Sequence, residues 1–151
     1  MKEENFYKKD GLRSDPRTFG DAAAEGLIGG IAAGIVMIIF LGIAAVLQGD
    51  TITSLIGHFR PSEDLPPITG IFSHLAVSAV YGAIFGVFVR MTNNWRHLPS
   101  LFLGIVYGVF LALGAQLFLL PTFDSPLQEI PALIFFTAHL IYGFVLGMIV
   151  K

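Results

Sequence analysis

The sequence predicts an all-α membrane protein, a four-transmembrane-helix bundle with both termini cytoplasmic. Three observations predict it. The 151 residues are 54% hydrophobic and only 13% charged, against about a quarter charged in a soluble domain, so there are too few charges to cover a water-facing surface. Four runs free of Lys, Arg, Asp and Glu are each about long enough to cross ~30 Å of hydrocarbon as helices. Finally, eight of the nine basic residues fall on one side of the arrangement these runs imply.

The polar stretch 1–21 reads as a cytoplasmic N-terminal tail, solvated or drawn to anionic lipid through its Lys and Arg. Residues 22–151 form the transmembrane domain, with spans at about 22–48, 69–90, 99–120 and 131–150. Asp21 reads as the cap of the first helix and Glu25 as a favourable first-turn charge. The first run, Leu27–Leu47, is too long and too far into the chain for a secretory signal. The longest connection comes next, and its ITSLIGHF segment predicts a short helix in the membrane interface. His58 and Arg60 there are expected to face solvent or headgroups.

The second run is Gly70–Val89, the third Leu101–Leu120 and the fourth Pro131–Val150. Apolar residues surround each helix, so none is one-faced, and none alternates as barrel strands do. Pro66, Pro67, Pro99 and Pro131 precede or open helices, where a missing N–H costs little. Pro121 is expected to stop the third. Lys2, Lys8, Lys9, Arg13, Arg17, Arg90, Arg96 and Lys151 lie on one side and Arg60 alone on the other, which puts both termini in the cytoplasm by the positive-inside rule. Trp95 suits an interfacial anchor.

Each run holds a Gly-x-x-x-Gly pair: Gly30/Gly34, Gly82/Gly86, Gly104/Gly108 and Gly143/Gly147. Residues four apart share a helix face, and two glycines there let another backbone approach closely. The expected partners are helices both of this chain and of other subunits. YGAIFG (81–86) and YGFVLG (142–147) also match, a faint repeat that would relate the two helix pairs by an axis along the membrane normal.

Two histidines lie inside the spans. His74 is about 6 Å and His139 about 12 Å from the outer edge at 1.5 Å per residue. Tyr81 and Tyr142 share their faces, and Gln116 reaches a similar depth. These five residues form a candidate polar cluster. It has four readings: hydrogen bonds tying helices together, a pocket for a quinone or lipid headgroup, a bis-histidine haem b site, or a relay in a small transporter. No intramembrane carboxylate supports the last.

The absence of cysteine excludes disulfides, thiolate metal sites, c-type haem and cysteine nucleophiles. No nucleophile–base–orienter set, metal-binding motif or phosphate loop is present, so no catalytic or metal residue is expected and the chain is not expected to be an enzyme. The net charge of -2 does not favour nucleic acid. The expected partners are the lipid bilayer and other membrane subunits, and the favoured function is an accessory or assembly subunit of a larger complex, with no resident cofactor.

The small-residue-rich first helix, the early His-Leu of the second, Tyr-Gly in the third and His139-Leu140-Ile141-Tyr142-Gly143 with Gly147 in the fourth resemble a group of small four-helix bacterial inner-membrane proteins of uncharacterised function. The resemblance covers Ala22 to Val150. It implies topology and a bacterial inner-membrane location, and brings no substrate, cofactor or mechanism.

Overall fold

The computed structural model describes residues 18–92, 99–123 and 125–151. The tail up to Arg17, Trp95 and Arg96 lie outside the described residues. Four long apolar helices succeed one another: α1 (Phe19–Leu47), α3 (Thr69–Thr92), α4 (Ser100–Gly114, extended to Thr122) and α5 (Ala132–Ile149), with the short α2 (Ile52–Gly57) between the first two. Among the described residues there is no strand.

The start of α1 is closed by a reciprocal pair. Thr18 is the cap rather than Asp21: its hydroxyl accepts from the Asp21 amide at 3.1 Å, and the Asp21 carboxylate accepts from the Thr18 amide at 2.8 Å. Asp21 thus acts from the third helical position, satisfying amides that have no partner within the helix. Beyond Leu47 the chain turns through Gly49, whose φ of 83° suits a residue without Cβ. The Thr51 side chain caps α2 at the Ser54 amide, 3.1 Å away.

The third span departs from the sequence expectation. Pro121 does not stop it, because the hydrogen-bond register has already shifted. Ala115–Leu119 form a π turn in which the Leu120 amide donates to the Ala115 carbonyl, and the helix continues through Leu120–Thr122. A one-residue π insertion of this kind is rare and frequently lies at a functional site. A 3-10 turn, Pro126–Glu129, then leads into α5.

The helices pack as two antiparallel hairpins, α1 with α3 and α4 with α5, joined mainly along α1 and α5. In the first, a Cβ on Gly26 would overlap the Gly82 carbonyl, one on Gly30 the Ser78 carbonyl, and one on Gly86 the Ala22 carbonyl. The second repeats this contact. Gly104 meets Gly143 and Gly147, and Gly108 meets the carbonyl of His139 and Gly143. The two matching hexapeptides occupy equivalent places in the two hairpins. Every glycine of the four pairs faces a helix or side chain of this same chain.

Gly29 supplies the flat surface on which Leu146, Ile149 and Val150 of α5 rest. The start of α1 and the end of α5 lie at one end of the bundle, where the Glu25 carboxylate accepts from the Lys151 amide at 3.3 Å. The guanidinium carbon of Arg90 also lies 6.0 Å from the centre of the Phe19 ring. The α2 segment and the 3-10 turn lie at the other, loop end, where His58 Nε2 is 3.3 Å from the Glu129 carboxylate.

Candidate functional site

The hairpins do not close evenly. α3 and α4 touch only briefly, and in the loop-end half of the bundle a cavity of about 390 Å³ opens between them. Ser73, Val77 and Tyr81 of α3 form one wall, and Leu111, Ala115 and Leu119 of α4 and its π turn the other. Met37 and Leu41 of α1 with Phe135 and Tyr142 of α5 form the back. Val77 is 52% exposed and Leu119 44%. Both also line the cavity, so it is open sideways, toward the surroundings of the bundle.

Each polar group on these walls has a local origin. His74 is buried, and its Nε2 lies 3.0 Å from the Gly34 carbonyl oxygen across the α1–α3 crossing. The glycine stripe makes that reach possible, since it brings the α1 backbone within range of a side chain on α3. The Phe59 ring meets the imidazole edge-on at 5.0 Å. His139 is held within its own helix, with Nδ1 2.8 Å from the Phe135 carbonyl one turn back and the Phe135 ring at 4.3 Å.

Tyr142, almost fully buried, donates its hydroxyl to the Ser78 carbonyl at 2.7 Å. Tyr107 donates to the Tyr81 carbonyl at 3.0 Å. Both hydroxyls reach from the second hairpin to carbonyls of α3, so they tie the hairpins together where α3 and α4 diverge. Tyr142→Phe is expected to cost about 1 kcal/mol, within the range of interhelical bonds in membranes. SDS titration followed by circular dichroism measures it.

A family model matches residues 21–151. The chain belongs to DUF6789, a family of unknown function. Neither curated proteins nor solved structures yield a match.

In this DUF6789 chain the cavity brings together four of the five residues that the sequence singles out: His74, His139, Tyr81 and Tyr142. Gln116 is not among them. It falls inside the π turn, where the extra residue rotates the rest of the helix about its axis, and its amide nitrogen is buried without a hydrogen-bond partner among the described residues.

His58 and Arg60 need the opposite correction. Both line the cavity rather than facing away from it. The Arg60 side chain is folded back by the carbonyls of Gly57, Glu63 and Leu65, at 3.0–3.1 Å, and these contacts turn a charged loop residue inward.

Tyr107, Ser78 and Gly26 join the packing and the site from outside the five residues of the candidate cluster and the four glycine pairs. Gly26 has a legible signal, since it lies four residues before Gly30. Ser78 lies four residues before Gly82, as His139 does before Gly143, which is the repeat extended by one turn. Among the described residues no three His, Asp or Glu side chains gather in a metal-binding arrangement.

Proposed function

We propose that this chain is a multi-pass protein of the bacterial inner membrane that binds one small amphipathic molecule taken from the lipid phase, with no catalysis of its own. The cavity between α3 and α4 carries this reading. Its volume falls within the range of ligand sites, about 300–1,000 Å³. Its walls are largely aliphatic and aromatic, with polar groups converging from α3, α5 and the loop end. A lateral opening suits a ligand that arrives dissolved in hydrocarbon.

A bis-histidine haem is less well supported. Two imidazoles would have to face one iron, and with Nε2 engaged by the Gly34 carbonyl His74 has only Nδ1, the nitrogen beside its own side-chain attachment, to offer. The transporter reading gains nothing, since the lining reaches no further than Tyr81 and Tyr142, near the middle of their helices, and the glycine crossings close the bundle beyond them.

Native mass spectrometry of the gently extracted protein tests the proposal. One bound amphiphile per chain is expected, displaced in Leu111→Trp, which fills the cavity from α4. A wild-type spectrum identical to that of Leu111→Trp would overturn the reading.

An accessory-subunit role is the second reading. The observation that favours it is an aliphatic groove on the outside of the bundle, floored by Gly42 and walled by Ile38, Ile39, Ile43, Ile52 and Ile71. A monodisperse particle containing this chain alone, after mild extraction, would count against it.

The bundle end carrying Arg90 and Lys151 is proposed to face the cytoplasm. The absence of native cysteine makes single-cysteine labelling clean. Cysteine at Glu63 is expected to react with impermeant reagent from outside, and cysteine at Lys151 only after permeabilisation.

A further inference from the structure

We infer that the molecule held in this cavity carries hydrogen-bond donors, and specifically hydroxyl hydrogens on an otherwise apolar body. This rests on the cavity reading above and adds the ligand's chemistry. The positions of the protons on the cavity walls decide it.

A carbonyl oxygen has only lone pairs to offer. The nitrogen facing it must therefore carry the hydrogen. His139 Nδ1 lies 2.8 Å from the Phe135 carbonyl, so Nδ1 is the donor and Nε2 of a neutral ring is left as an acceptor. His74 Nε2 lies 3.0 Å from the Gly34 carbonyl, so its free nitrogen, Nδ1, is also an acceptor. Among the described residues no Asp or Glu lines the cavity beside His74 or His139, and an unpaired charge in so apolar a place is costly. The third lining imidazole, His58 at the loop end, has its Nε2 3.3 Å from the Glu129 carboxylate, and its buried Nδ1 has no partner among the described residues.

Two hydroxyls show the same pattern. Ser73 donates to the Thr69 carbonyl at 3.1 Å and Tyr142 to the Ser78 carbonyl, which leaves their oxygens as acceptors. The hydroxyls of Ser78 and Tyr81 can turn to serve either role. Arg60, at the loop end, is the one guanidinium donor among the described lining residues; backbone carbonyls engage its Nε and Nη1, and only Nη2 keeps hydrogens to offer.

The helix backbones have thus taken the hydrogens of four polar side chains and left lone pairs. A ligand bearing only carbonyl or ether oxygens would leave the acceptors of His74 and His139 unmatched, and an unmatched buried acceptor carries the full desolvation penalty. A phenol or alcohol headgroup supplies the missing hydrogens. Two sources share that chemistry: the reduced, hydroquinone form of a lipophilic quinone, and a lipid alcohol such as a diacylglycerol. An apolar tail would leave past Val77 and Leu119.

Isothermal titration of the detergent-solubilised full-length chain with two matched pairs tests this. One pair is a decyl-substituted hydroquinone, kept anaerobic, and its oxidised benzoquinone. The other is dioctanoylglycerol and its O-methyl ether. The hydroxyl member of at least one pair is expected to bind at least about tenfold more tightly, and the pair that discriminates identifies the source. In His139→Phe, which removes one acceptor and keeps a ring against Phe135, that ratio is expected to fall several-fold while the thermal midpoint stays near wild type. Equal affinity within both pairs, or tighter binding of the quinone or ether, would overturn the donor inference and leave the cavity reading standing. Binding of none of the four compounds would overturn both.

Discussion

Gly82→Ala will disrupt the first hairpin. A Cβ at this position overlaps the Gly26 carbonyl oxygen and crowds the backbone of Gly30, and neither is the movable end of a side chain. Alanine is the better helix former by about 1 kcal/mol, so any loss measured is a packing loss that exceeds this gain. Overpacking typically costs about 1–3 kcal/mol and occasionally more, and a rigid backbone contact belongs at the upper end. The expected net destabilisation is about 2 kcal/mol, read as the shift of an SDS-unfolding midpoint. Gly42→Ala is the internal control. Nothing lies within 4 Å of a Cβ there, so it should leave the midpoint unchanged or raise it slightly. Equal behaviour of the two variants would show that the α1–α3 crossing is not held by close backbone approach.

The second large effect is expected at Phe85. It has 0% exposure and is among the largest fully buried side chains. Its ring lies 5.1 Å from that of Tyr107, tilted by 36°, beside the bond from Tyr107 to the Tyr81 carbonyl. Phe85→Ala opens a void at this junction. Truncations of this type cost about 3–5 kcal/mol, and the lower end of that range is expected where a neighbouring side chain relaxes into the gap. Phe88→Ala, one turn along on a more exposed face, should cost far less because lipid fills the space. A Phe85→Ala midpoint as mild as that of Phe88→Ala would mean that the hairpins are not packed through this ring. The Tyr107 bond should weaken in the same variant, so Phe85→Ala and Tyr107→Phe are not expected to be additive.

The helices and their apolar character are legible in the sequence because both are local. A run of about twenty residues without a charge can satisfy its backbone in hydrocarbon only as a helix, and composition and length are enough to say so. The glycine pairs are legible as faces, since a spacing of four needs no knowledge of the rest of the chain.

The sequence does not reveal what each face meets. In water, hydropathy contrast marks the inner side of a helix; in lipid both sides are apolar and the contrast vanishes. From spacing alone, the eight paired glycines are expected to divide between this chain and other subunits. In the structure all of them are engaged within the chain, because each stripe meets the facing helix of its own hairpin.

The site divides in the same way. His74, His139, Tyr81 and Tyr142 are found from their side chains and depth. Gln116 joins them only by depth along its span, which does not fix the face it takes, and it falls inside the π turn at Ala115–Leu119. His58 and Arg60 are expected to face solvent because loops usually do. Three backbone carbonyls bend Arg60 back over the cavity, and such carbonyl positions exist only once the loop has folded.

Taken by itself, the sequence determined the number of helices long and apolar enough to cross a membrane, the small-residue faces and which ionisable groups lie within those helices. Those properties depend on composition and on spacing inside one helix. Only the tertiary structure decided that α3 and α4 part company, that the resulting gap opens sideways, and that the His74 imidazole meets the Gly34 carbonyl of another helix. The physical reason is that a hydrogen bond's direction, unlike a helix's period, is set by where a second segment happens to lie.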